Sequence, residues 1–242
     1  MIGVEMMNRT CVVVGCLMVA TVSFAQKGDS FDTHTADYRL LLSKKIQAEV
    51  GITAAQRDAL NKAADHERAV ATPYLQQLQK EGKDESFLRT DPKYAGFLLE
   101  LRNNVFAQLS AAQLKRLREL TLQSVDIGGV LDVIVAKKIG MSVDQLTKVR
   151  AIYDEGVKKS SAIVKQVDAK VLTPYKDVHA RTQTEQKALN TRLMSERSAE
   201  LKKHKPEFDQ IEKQTKGKVQ TVLTPAQLAA YHALQGKPFK PN

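Results

Sequence analysis

Four short segments of this chain resemble one another, and their order restricts the folds open to it. They are Ile52-Thr53-Ala54-Ala55-Gln56, Leu109-Ser110-Ala111-Ala112-Gln113, Met141-Ser142-Val143-Asp144-Gln145 and Leu223-Thr224-Pro225-Ala226-Gln227. The first and third follow Gly51 and Gly140, 89 residues apart, and the second and fourth are separated by 114. Between them, Thr72-Pro73-Tyr74 recurs as Thr173-Pro174-Tyr175 at an offset of 101, and Pro92 recurs as Pro206 at 114. Apolar positions keep the same offsets: Ile46 matches Val135, Val50 matches Ile139, Leu60 matches Val149, Tyr94 matches Phe208 and Val105 matches Val219. Landmarks repeated in one order are the mark of a duplicated unit.

Each segment reads as the start of a helix. Thr53, Ser110, Ser142 and Thr224 are expected as N-caps, with Gln56, Gln113, Gln145 and Gln227 at the third helical position. That is a capping box, in which hydroxyl and amide satisfy each other's backbone N–H groups. Loss of one such hydroxyl costs about 0.5–2 kcal/mol. Apolar residues elsewhere recur at three- and four-residue steps, as in Val143, Leu146, Val149, Ile152, Tyr153 and Val157. There is no sustained strand alternation, so the expected fold class is all-α.

The offsets predict two tandem helical-hairpin units, the second with longer arms. The steps from 89 to 101 and from 101 to 114 place extra residues on both sides of the Thr-Pro-Tyr. Thr72, Pro73 and Tyr74, and likewise Thr173, Pro174 and Tyr175, are therefore expected at hairpin tips, with each arm of the second unit about 18–20 Å longer. The expected division is a signal over residues 1–25, a flexible mature N-terminus over 26–36, unit one over 37–127, unit two over 128–236 and a tail over 237–242. Gly128-Gly129 reads as the joint.

Residues 1–25 carry Arg9, an apolar stretch from Cys11 to Phe24, and Ser23-Phe24-Ala25 as a cleavage site. This predicts export, with cleavage after Ala25 and a periplasmic or other extracytoplasmic location. An uncleaved anchor, and a lipid attachment at Cys16 after Val13-Val14-Gly15, remain alternative readings. Both cysteines of the chain, Cys11 and Cys16, lie in this segment. The mature protein is then without disulfide, thiol nucleophile or thiolate metal site.

The motif, placed in an exported, helical, Cys-poor chain, resembles the LTxxQ-motif (Spy/CpxP) family of bacterial envelope proteins. Leu223-Thr224-x-x-Gln227 matches to the letter, and the other three copies are conservative departures. The resemblance implies a helical, cradle-shaped binding protein with a chaperone-like or stress-response role. Family members carry two motifs and pair as homodimers. Four motifs in one chain predict either a monomeric pseudo-dimer or a homodimer.

The chain holds 37 basic and 27 acidic residues, a formal charge of +10. Most of the excess lies beyond residue 140, where 19 basic residues face 11 acidic ones. Lys158, Lys159, Lys165, Lys170, Lys176, Arg181, Lys202, Lys203 and Lys205 are the candidate contacts to acidic partners. A solvated face of interspersed charge is the alternative. Aromatic residues make up 5% and tryptophan is absent, which disfavours stacking on nucleic acid, and no nucleic-acid partner is expected. The five histidines are scattered and no catalytic or phosphate-binding motif occurs. The expectation is a non-enzyme without cofactor or metal. It would bind unfolded or partly folded clients, or an envelope protein; the alternative is a scaffolding protein docked on an anionic polymer or membrane-protein partner.

Overall fold

The computed structural model describes residues 30–83, 85–176, 178 and 182–240. The proposed signal lies outside them. Among the described residues there are eleven α-helices, three short 3-10 turns and no strand. No helix among them is long and apolar enough to cross a membrane. The chain divides into two compact units. The first runs to Asp126 and takes in Tyr231 onward; the second is Ile127–Ala230.

In the first unit, α1 (Phe31–Thr35) and a 3-10 turn at Tyr38–Leu42 lead to α2 (Lys44–Val50). The long α3 (Ala54–Lys80) returns through α4 (Glu85–Leu88) and α5 (Pro92–Phe106), followed by α6 (Ala111–Ser124). Helix α3 packs on α5 to make the hairpin, and α1 and α2 pack on α6. The core gathers Ala36, Leu41, Val50, Ile52, Leu60, Val105, Phe106, Leu117 and Leu120, with Tyr38, Leu101, Leu114 and Phe239 against it. These residues come from α2, α3, α5, α6 and the segments between and beyond them, so burial of one apolar cluster ties the base together.

The second unit repeats the plan. A 3-10 turn at Asp126–Leu131 enters α7 (Val133–Lys138), then α8 (Val143–Leu172). A 3-10 turn at Thr173–Tyr175 ends that arm. The return is α9 (Gln183–Lys203) and α10 (Lys205–Val222), then α11 (Pro225–Gln235). Helix α8 packs on α9 and α10. The sequence offsets hold in three dimensions: Val50 and Ile139 are both 6% exposed, and Val105 and Val219 are 6% and 0%. Gly51 and Gly140 end α2 and α7 with φ of +74° and +73°. In each case the residue after the glycine donates back five residues, Ile52 N to Gln47 O and Met141 N to Ala136 O, both at 2.9 Å. Glycine suits this left-handed stop because it has no Cβ to clash.

Several expectations are corrected. Thr72-Pro73-Tyr74 lies in the interior of α3, not at a tip. Pro73 has no N–H to give the helix, and Thr72 Oγ1 donates to Arg68 O at 2.6 Å beside it. Thr173-Pro174-Tyr175 does stand at the end of its arm. The arms are accordingly not lengthened alike: α8 has 30 residues against 27 in α3. The extra residues lie in the return, where a 21-residue α9 stands in place of the 4-residue α4. Pro92 and Pro206 both sit in the first turn of a returning helix, as a proline can without losing a helical hydrogen bond.

The described part of the 26–36 segment is not a flexible lead. Arg118 Nε donates to Asp32 Oδ1 at 2.9 Å and Arg102 Nη2 to Thr33 O at 3.1 Å, which fixes α1 in place. Residues 231–240 belong to the first unit, not to the second and a tail. Tyr231 is 1% exposed and its hydroxyl donates to Asp126 O. The expected Gly128-Gly129 joint is folded into the 3-10 turn, where Gly129 is buried.

The α8–α10 contact is close-packed at Gly156. A Cβ there would stand 2.6 Å from Thr215 Oγ1. The variant Gly156→Ala is expected to destabilise the second unit by about 1–3 kcal/mol. Adding Thr215→Ala should restore most of that loss. Denaturant unfolding of the two variants checks this.

Candidate functional site

All four capping boxes form. Gln56 N donates to Thr53 Oγ1 at 3.2 Å, while Thr53 N donates to Gln56 Oε1 at 3.0 Å. The equivalent bonds join Ser110 with Gln113, Ser142 with Gln145 and Thr224 with Gln227, at 2.9–3.3 Å. The structure adds what the spacing did not reveal: the boxes are paired. Gln56 Nε2 donates to Gln113 Oε1 at 2.8 Å, and Gln113 Nε2 donates to Gln56 Oε1 at 2.9 Å. The second proton of each amide reaches across to a helix end, Gln56 Nε2 to Gln108 O at 2.7 Å and Gln113 Nε2 to Gly51 O at 2.9 Å.

The second unit repeats this node bond for bond. Gln145 and Gln227 exchange amide hydrogen bonds at 2.8 and 2.9 Å. They donate to Val222 O and Gly140 O at 2.9 and 2.7 Å. Each glutamine thus uses two donors and two acceptor positions, its full capacity. A flipped amide would aim its NH2 group at an N-cap N–H, so the network fixes the orientation. The one available sequence signal was the residue type. A capping box accepts Glu or Gln, yet all four copies carry Gln, the one of the two that both gives and receives. With every polar atom engaged, these residues build the base of each unit and have no valence left for a ligand.

The Thr-Pro-Tyr tyrosines also share a role that the sequence left open. The Tyr74 hydroxyl donates to Asp91 Oδ2, and Asp91 also caps α5 through Lys93 N at 2.7 Å. The hydrogen bond to the Asp91 carboxylate pushes the Tyr74 pKa up to about 12. It also holds Asp91 below its ordinary value. Tyr175 donates to both oxygens of Glu196, at 2.8 and 2.9 Å, with the Arg192 guanidinium 5.4 Å from its ring centre. Each tyrosine therefore clasps the outgoing arm to a carboxylate of the return.

The outer part of the second hairpin is the strongest candidate for an interaction surface. Among its described side chains helix α9 has none that is fully buried. It is held to α8 by polar clasps: Arg197 with Asp168, Lys170 with Glu200 at 2.5 Å, and Tyr175 with Glu196. Lys203 joins Glu200 at 2.7 Å, while lower down Glu155 is shared by Lys159 and Lys218 at 2.7 and 2.8 Å. These lysine pairs pull the carboxyls of Glu155 and Glu200 down to about 2. Four of the nine sequence-selected cations are thus committed within the hairpin: Lys159, Lys170 and Lys203 as above, and Lys205 with Asp209. Lys158, Lys165, Lys176 and Lys202 are exposed and pair with no described residue. Arg181 lies outside the described residues.

Among the described residues no group of three His, Cys, Asp or Glu side chains is placed to hold a metal ion. No known protein family, curated protein or solved structure matches this chain.

Two predictions follow from these clusters. Replacing both Gln56 and Gln113 by Glu puts two carboxylates together and strips the donors from Gly51 O and Gln108 O. A single Gln113→Glu should cost about 1–3 kcal/mol, and the pair should cost more than the sum of the singles, read by denaturant unfolding. Glu155 and Glu200 have depressed folded-state pKa values, so their contribution is complete above the ordinary carboxylate range. It is lost as pH falls from about 4.5 toward 2. A chain with Glu155→Gln and Glu200→Gln should show a shallower fall of Tm across that window, and added salt should shrink the difference because the paired lysines are exposed.

Proposed function

We propose that this chain is an exported, non-enzymatic binding protein of the LTxxQ-motif kind, acting as an ATP-independent chaperone-like or envelope-stress-modulating protein. The observation that supports the reading is the placement of charge on the outer second hairpin. Three of its carboxylates, Asp168, Glu196 and Glu200, are turned into the clasps between the arms. Its uncommitted cations point outward.

On α8, Lys158, Ala162, Lys165, Ala169 and Leu172 recur at four- and three-residue steps and are all exposed. The opposite stripe, Gly156, Ser160, Ile163, Val167 and Val171, is buried. Leu172 is 46% exposed and Met194, on α9, 65%. Such a surface attracts acidic chains at a distance and offers isolated apolar side chains at contact. Partly unfolded proteins present both kinds of group. Fast, reversible capture needs no nucleotide and no reacting group.

The test is aggregation of a destabilised acidic client, such as reduced α-lactalbumin, followed by light scattering. The chain is expected to suppress aggregation at low salt, and to do so less well near 0.5 M, where the screening length falls to about 4 Å. Lys158→Glu with Lys165→Glu and Lys176→Glu should weaken suppression at low salt. A chain that suppresses no client at low salt contradicts the reading. The same outward lysines favour a second reading, a scaffold docked on an anionic polymer; cosedimentation with cell-wall material in the absence of client activity would select it.

A further inference from the structure

Beyond the hairpin arms, one stretch of the molecule is already a bound peptide. Residues 236–240 leave the end of α11 and run in non-helical conformation along α6 of the first unit. They are held mainly through their backbone. Gln123 Nε2 donates to Gln235 O at 2.6 Å and to Lys237 O at 2.8 Å, and Phe239 N donates to Gln123 Oε1 at 2.9 Å. Arg116 Nη1 donates to Lys237 O at 2.8 Å. Arg116 is itself held by Glu49 and Glu119, and Arg118 donates to Leu234 O at the end of α11.

Two side-chain positions are specified. At Gly236 a Cβ would come within 2.2 Å of the Glu119 carboxyl carbon, so the chain there lies directly against α6. Three residues on, Phe239 packs against the apolar core of the unit. Lys237, Pro238 and Lys240 are exposed and unread.

We propose that this α6 groove is a peptide-binding site, and that residues 236–240 are its tethered, displaceable occupant. The partner class is an extended protein segment with a glycine-sized residue followed, three positions later, by an aromatic one. The chemistry suits an unfolded chain. Side chains that read a backbone through one glutamine and one arginine accept many sequences, and a single aromatic anchor supplies the apolar contact. Such a segment is exposed in unfolded proteins and sequestered in folded ones. The tethered occupant sets the threshold: at an effective concentration in the millimolar range it holds the groove against weak competitors and yields to abundant or tight ones. This inference rests on the client-binding reading above and gives it a second, separate contact.

The test uses the full chain and a fluorescein-labelled peptide of sequence Gly-Lys-Pro-Phe-Lys-Pro-Asn, read by anisotropy. Phe239→Ala weakens the internal occupant and leaves the groove intact. The peptide is expected to bind this variant at least about tenfold more tightly than the unaltered chain. Adding Gln123→Ala should abolish that gain, as should a peptide with Ala in place of its Phe. In the unaltered chain, saturating peptide should speed hydrogen exchange at the Phe239 amide, a measurement that does not depend on any variant folding. Equal peptide affinity for the unaltered and Phe239→Ala chains, or unchanged Phe239 exchange under excess peptide, would overturn the proposal. Client suppression that persists without peptide binding removes the groove and spares the function. Peptide binding without suppression of any client does the reverse.

Discussion

The reciprocal amide pair between capping glutamines is the constraint on which the rest of this structure depends. Two helices begin side by side at the base of each unit, and each would leave first-turn N–H groups without partners. The capping box satisfies them locally. The amide pair then links the two starts to each other and to the helix end facing each one. A helix start is thereby converted into a tertiary contact, and the hairpin is closed at its root. Because Gln145 and Gln227 reproduce the arrangement with Gly140 and Val222 as the carbonyl partners, the duplicated unit carries its own closure.

With the base fixed, the arms were free to diverge. In the first unit α3 stays helical through Pro73. The Tyr74–Asp91 bond and the contact of Lys93 with the Tyr74 ring, 4.1 Å from its centre, hold it to the return. In the second unit the return gains a whole helix with no fully buried side chain among those described. Ion pairs and one tyrosine clasp help to hold it to α8, and exposed pairs of this kind contribute little each. That end of the molecule is richer in ion pairs than the base, where Val135, Val149 and Val219 are fully enclosed. A binding surface built there can exchange partners without unfolding the root of the hairpin.

The helix starts were legible because a cap is local: hydroxyl, three-residue spacing and glutamine are all in the sequence. The matching core positions were legible for a similar reason, since period and offset together mark which face is buried. The pairing of caps was not, because it depends on which two starts meet in space, although four glutamines and no glutamate carried the hint. The first Thr-Pro-Tyr was misplaced because proline is read as a boundary, whereas here a tyrosine clasp carries the helix past it. The domain division failed at its C-terminal edge. Gln123 and Arg116 read carbonyl positions, and no residue type in 231–240 announces that its backbone will be bound. Of the basic residues, composition fixed the sign of the surface but not which lysines were already paired.

The direct measurement is the hydrogen exchange of glutamine side-chain amides, followed by NMR on isotopically labelled protein. If the paired boxes close both units, the Nε2 protons of Gln56, Gln113, Gln145 and Gln227 are protected far beyond those of exposed glutamines. Substituting Gln56 by alanine should then release Gln113 while leaving Gln145 and Gln227 protected. Exchange of all four at the rate of a free amide, or release of all four together, would contradict the account.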